Sequence, residues 1–115
     1  TEIVKKNEEL IRSVFNTADI GLCISDQDGR VIKVNVGMLE MFGYAQHELV
    51  GQLVFTLYPL EERAHKIEHY FELCHEHGEI AGEFKAVRHD GSHMDVFMTA
   101  RTMPLPEGKT YVVKT

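Results

Sequence analysis

The chain has 115 residues, enough for one ordinary domain with a real core and too few for two. It is 43% hydrophobic and 26% charged, as soluble globular proteins are, and 18 acidic against 12 basic residues give a formal charge of −6. That balance argues against nucleic acid as a partner, because phosphate binding needs a basic patch and none stands out. No apolar run approaches the ~20 residues of a membrane span and nothing has the layout of a signal peptide, so a cytoplasmic segment is expected. A start at Thr1 instead of methionine is what a piece of a longer protein would show.

The opening "EIVKKNEELIRSVFNTA" has apolar residues at Ile3, Val4, Leu10, Ile11, Val14 and Phe15 with charges between, which predicts an amphipathic helix within residues 1–17. Ile3 and Leu10, like Val4 and Ile11, are a heptad apart. A stripe of Ile3, Leu10, Ile11 and Val14 suits a short dimer seam, and it suits equally a helix packed on its own domain.

Residues 18–115 then read as one folded unit. "IGLCIS" alternates Ile20, Leu22 and Ile24 with Gly21, Cys23 and Ser25, the period of a half-buried strand. "DQDG" is a tight turn, with Gly29 able to take positive φ, and "RVIKV" is the partner strand. Val36 to Phe42 is helical and "GY" ends it; "AQHELVGQ" is a second helical turn that stops at Gly51. "LVFTLYP" fits a short helix or a loop. Leu60 to His77 reads as the longest helix, ended by Gly78. "EIAGEFKAVR" and "HMDVFMTARTM" are strands joined by the turn "HDGS", and "PLPEG" bends the chain into a last strand, "KTYVVKT". Two strands, then helices, then three strands describe an α+β domain with an antiparallel sheet. Cys23 lies in a strand pattern and Cys74 on the apolar side of a helix; without metal-like spacing, both read as buried thiols in a reducing compartment.

Asn35 stands where the second strand runs out and the next helix begins. An asparagine there accepts from backbone N–H groups of the helix's first turn, which makes Asn35 a structural cap. The order of signals around it is more specific: Asp26 and Gly29 in the turn, Asn35, Gly43 and Tyr44, Glu48 with Leu49, and Gly51. Pro59 with Glu61 and Glu62 follows, and later "RHDGSHMDV". From about Ile20 to Thr115 this resembles a PAS domain. The resemblance implies a five-stranded antiparallel sheet in the order 2-1-5-4-3, with helices over one face and often a small-molecule pocket between. It implies a sensory role inside a larger protein, commonly a histidine kinase or a cyclic-dinucleotide enzyme. It also places the coupling stretch, an acidic "D-I-T"-like segment, and the effector beyond the "YVVKT" end.

His65, His69, His75, His77 and His89 fall within the long helix and the strand after it, which raises haem or a metal as ligands. At ~100° per residue, Ala64, Ile67, Phe71 and Cys74 form that helix's apolar stripe while His65 and His69 lie roughly opposite. Haem-binding members of the family place a histidine of this helix in the pocket, and neither projects there. The His65/His69 spacing suits a Zn²⁺ ion, with Glu61, Glu68 or Glu72 to add an oxygen, but such pairs on an acidic helix are usually a solvated face. Thiol-adduct flavin chemistry needs a cysteine near residues 53–59, where there is none. Haem, flavin and metal are therefore all disfavoured, and the ligand's identity stays open.

What remains is an apolar interior. Met94, Val96, Met98 and Ala100 share one face of the fourth strand, with Phe97 and Thr99 on the other. The expected pocket lining is Leu22, Ile24, Leu39, Phe42, Ile67, Phe71, Met98 and Tyr111, and the methionines suit a core that repacks around a guest. These residues can equally be plain core. Arg101 either meets a ligand carboxylate or, the favoured reading, lies on the exposed face. No nucleophile with a base at motif spacing can be named, so the domain itself is expected not to be an enzyme. The expected function is a sensory module that binds a small ligand or forms a homodimer to regulate an attached effector. The alternative is a dimerisation or docking module that binds nothing small.

Overall fold

The computed structural model describes the chain apart from residues 1, 17, 18, 27, 63–67, 103–108 and 115, and describes the backbone but not the side chains of 2–5, 7, 11, 62, 68, 70, 71, 74, 75 and 109–114. The elements run α1 Glu2–Phe15, β1 Gly21–Ser25, β2 Val31–Val34, α2 Val36–Phe42, α3 Gln46–Leu49, a 3-10 turn Val54–Leu57, α4 Leu60–Glu62, α5 Glu68–His77, β3 Glu79–Val87, β4 His93–Thr102 and β5 Lys109–Lys114. The expected long helix over 60–77 is present as α4 and α5, and the stretch between them falls outside the described residues.

The strands form one five-stranded sheet, every pair antiparallel, in the order β2-β1-β5-β4-β3. Two of its hairpins have self-contained turns. In the first, Asp26 Oδ1 accepts from Asp28 N–H at 2.9 Å and Arg30 N–H at 3.0 Å, and Gly29 supplies the positive φ that reverses the chain. In the second, Asp90 Oδ1 accepts from both the hydroxyl (2.6 Å) and the N–H (2.9 Å) of Ser92. β5 then inserts between β1 and β4, pairing Cys23 with Tyr111 and Tyr111 with Ala100.

Helical segments cover one face. Met38 and Phe42 of α2, Leu49 of α3 and Val54, Leu57 and Tyr58 around the 3-10 turn are all buried against the sheet. Their partners are Cys23, Val34, Phe84, Ala86, Met94, Val96, Met98 and Ala100. Each large side chain so buried stabilises the fold by ~1.5–3 kcal/mol. On β4 the alternation is clear: Met94, Val96, Met98 and Ala100 are buried, while Phe97 between them is 49% exposed.

One expectation is reversed. On β1 the buried alternate set is Gly21, Cys23 and Ser25, and Leu22 and Ile24 are only half-buried on the opposite face. The period was legible, but the side was not. Here the smaller residues face the helices, where Asn35 draws the start of α2 tight against the strand; the bulkier pair takes the face shared with exposed Lys33, cross-strand partner of Ile24. Arg101, by contrast, is exposed as favoured, bonded to Glu79 at 3.0 Å across the β3–β4 pair.

Candidate functional site

Asn35 organises the edge of the interior. It caps α2 by accepting from Met38 N–H at 2.8 Å, accepts from Leu22 N–H at 2.8 Å, and donates from Nδ2 to the Ile20 carbonyl at 2.8 Å. The helix it starts is stopped by Gly43 in the left-handed region (φ 76), whose N–H donates to Leu39. α2 is thus fixed at both ends, with Met38 and Phe42 directed at the sheet and Leu39 packed at the edge of the core.

Under this roof lies a set of soft or weakly polar groups. The Tyr58 hydroxyl donates to Met98 Sδ at 2.9 Å, and its ring meets Phe84 edge-on at 6.2 Å between centroids. Burial pushes the Cys23 thiol up to about 12. Burial likewise raises Tyr58, with nearby Cys23 adding to the effect. Both groups stay protonated near neutral pH, and among the described residues no charged side chain is buried beside them. Ser25 is fully buried, and among the described residues its hydroxyl has no hydrogen-bond partner. A thiol held so firmly in its neutral form is no nucleophile.

Of the residues expected to line a pocket, Phe42 and Met98 come together in the buried cluster and Leu39 flanks it. Leu22 and Ile24 do not, being on the other face. Ile67 and the side chains of Phe71 and Tyr111 lie outside the description, although the backbone register sets Tyr111 opposite Cys23. Sequence reasoning read Cys23 as a buried thiol, and it is buried; it missed Tyr58 and Ser25 as interior groups. For Tyr58 a signal existed: Val54, Leu57 and Tyr58 have one-face helical spacing within "LVFTLYP".

On α1, Leu10 and Val14 are each 63% exposed, whereas Phe15 is half-buried with Lys33 Nζ 4.9 Å from its ring centroid. The side chains of Ile3 and Ile11 lie outside the description. His69 and His77 are exposed; the side chain of His75 and all of His65 lie outside it. His89 sits 3.4 Å from Glu48 and against the Tyr44 ring, linking the β3–β4 turn to the start of α3. Among the described residues, no three His, Cys, Asp or Glu side chains are grouped to hold a metal, and no helix is long and apolar enough to cross a membrane.

A five-stranded antiparallel sheet of this order, roofed by helical segments on one face, is an α+β fold of the PAS type. A family model described as a PAS domain matches residues 19–113, and the chain belongs to the PAS domain family, whose members are regulatory sensor modules. Similar solved structures include the PAS domain of a protein from Colwellia psychrerythraea (18% identity, TM-score 0.83, covering 97% of this chain and 95% of that one). Another is a domain of a sensory box sensor histidine kinase/response regulator from Geobacter sulfurreducens (17% identity, TM-score 0.80, 97% and 96% covered). A third is the ethanol-bound PAS domain of a LuxR-family transcriptional regulator from Burkholderia thailandensis (24% identity, TM-score 0.74, 88% and 93% covered). No curated protein sequence matches the chain.

Proposed function

We propose that this PAS domain is the input module of a larger cytoplasmic signalling protein, that it homodimerises through α1, and that a small guest in its interior biases the dimer. The observation that carries this reading is the exposure of Leu10 and Val14, one helical turn apart on an amphipathic helix that leads directly into the sheet. Two such apolar side chains left in water favour a second copy of the same helix as cover. A guest that fits one arrangement of sheet and α1 better than another would shift their equilibrium, and an attached effector such as a histidine kinase or a cyclic-dinucleotide enzyme would read the shift.

The guest is proposed to be small and uncharged, since the Tyr58, Cys23 and Ser25 groups are neutral and offer hydrogen bonds instead of counter-charge. Exposed His69 and His77 do not favour haem, nor does the absence of a cysteine in residues 53–59 favour a flavin adduct.

Sedimentation of the chain and of its Leu10→Glu/Val14→Glu variant tests the dimer: the parent should sediment as a dimer and the variant as a monomer. A parent that stays monomeric at high concentration would remove the dimer half. Native mass spectrometry of protein purified from cells tests the other half. A retained small molecule supports the sensor; bare dimers support the alternative, a ligand-free dimerisation module.

A further inference from the structure

We infer that the chain carries a second small-molecule site outside its interior, a cleft between α1 and the β1–β2 edge that takes an organic monocarboxylate with an apolar body. The cleft has a volume of about 580 Å³, within the roughly 300–1,000 Å³ usual for small-molecule sites. Phe15 of α1 and Ile24 and Val34 of the strands supply an apolar floor; Arg12, Lys33 and Glu8 stand around it.

The two cations are the reason to assign an anion. Apart from Lys6, also on α1, the other described arginine and lysine side chains each hold a protein oxygen: Arg30 that of Gly51, Lys85 that of Asp95, Arg88 those of Ser92 and His93, and Arg101 that of Glu79. Among the described residues Arg12 and Lys33 hold no oxygen, and Lys33 rests on the Phe15 ring instead. Two cations facing one cleft with a single carboxylate beside them, in a chain whose formal charge is −6, form a local anion-attracting spot against an acidic background. Glu8 narrows the choice. With two cations and one carboxylate the cleft has a single positive charge to offer, which matches a monocarboxylate and disfavours phosphate dianions and nucleotides. The apolar floor then asks for a hydrocarbon or aromatic body beside the carboxylate.

The geometry of α1 gives the site a consequence. At ~100° per residue, Glu8, Arg12 and Phe15 share one face of the helix, and Leu10 and Val14 lie on the opposite one. A carboxylate bridging Arg12 and Lys33 would fasten α1 to the sheet with its exposed apolar face turned outward.

Benzoate is the probe, with benzamide as its uncharged shape analogue and inorganic phosphate as the anion without an apolar body. Amide shifts of the labelled chain should move saturably with benzoate at Arg12, Phe15, Ile24 and Lys33. Benzamide and phosphate should bind at least about tenfold more weakly. Lys33→Gln and Arg12→Gln, both at exposed positions, should keep a dispersed spectrum and each weaken benzoate about fivefold. The inference is overturned if benzamide or phosphate binds as well as benzoate, or if neither substitution changes the affinity. Shifts confined to interior amides such as Phe42 and Met98 would equally overturn it, and would speak for the interior site instead.

Discussion

Asn35 and Leu22 are tied in both directions: Leu22 N–H donates to Asn35 Oδ1 at 2.8 Å, and Asn35 N–H donates to the Leu22 carbonyl at 3.0 Å. The same Oδ1 also caps α2 at Met38, so one buried side chain joins the first strand to the first helix of the roof. Asn35→Ala removes the cap and leaves buried N–H groups without an acceptor. Adding a lost cap to an orphaned donor predicts a destabilisation of about 2–4 kcal/mol. Urea unfolding measures it, and hydrogen exchange should show protection falling first at Leu22 and Met38. A loss below about 0.5 kcal/mol would mean that the junction does not depend on this side chain.

The cap was legible because it is local: strand end, asparagine and helix start are neighbours in sequence, and chemistry within three residues decides them. β4 was legible too, since Met94, Val96, Met98 and Ala100 are apolar throughout while its other alternate set mixes Phe97 with Asp95 and Thr99. β1 was not. Its two alternate sets, Leu22/Ile24 and Gly21/Cys23/Ser25, are both uncharged, so periodicity cannot say which one faces the helices. That choice is made by long-range partners, Asn35 and β5, which no local pattern contains. That Arg12 and Lys33 line one cleft was equally invisible, because it depends on how α1 packs beside the β1–β2 edge.

The opposed faces of β4 give a matched pair of substitutions. Met98→Ala empties fully buried volume and should cost about 2–4 kcal/mol, whereas Phe97→Ala, on the exposed face, should change stability by no more than about 1 kcal/mol. Thermal or urea unfolding of both variants checks the order. Equal effects would contradict the assignment of faces.

Burial holds the Cys23 thiol at about 12 against an ordinary 9.0. The folded value is the higher one, so this contribution is complete below pH 9, where both states keep the proton. Between pH 9 and 12 the unfolded chain loses the proton and the folded one retains it, so stability falls as pH rises through that window. Each such group lowers stability by up to about 1.4 kcal/mol per pH unit there. Tyr58, also raised by burial, adds to the decline at still higher pH. Urea midpoints between pH 8 and 10.5 should therefore drop more steeply for the parent than for Cys23→Ala. Iodoacetamide at pH 7.5 should leave Cys23 unmodified in the folded protein, and rapid labelling would show that the thiol is not enclosed.

At the β3–β4 turn the sign is opposite. Asp90 is held below the usual carboxylate range by the Ser92 hydroxyl, then by the Ser92 N–H and nearby Arg88. Its contribution is present above the ordinary carboxylate value and is lost as pH falls through the lowered one. The group is exposed, so the effect is local. An acid titration should show the Ser92 amide resonance moving with a midpoint below that of a free aspartate, and Asp90→Asn should abolish the movement.

Ser25 offers the sharpest separation between an interior that is merely filled and one that receives a guest. Its hydroxyl is fully buried with no partner among the described residues, a situation that costs free energy because a desolvated donor and acceptor gains nothing in return. Ser25→Ala should accordingly leave the ligand-free protein as stable as the parent or raise its stability by about 1 kcal/mol. If a guest bonds this hydroxyl, the same substitution should lower the fraction of chains that retain a small molecule in native mass spectra. Unfolding of stripped protein and mass spectra of cell-purified protein, measured on the same pair of chains, read the two effects separately. A clear loss of stability in the stripped protein would mean that Ser25 is satisfied within the fold and is not held ready for a ligand.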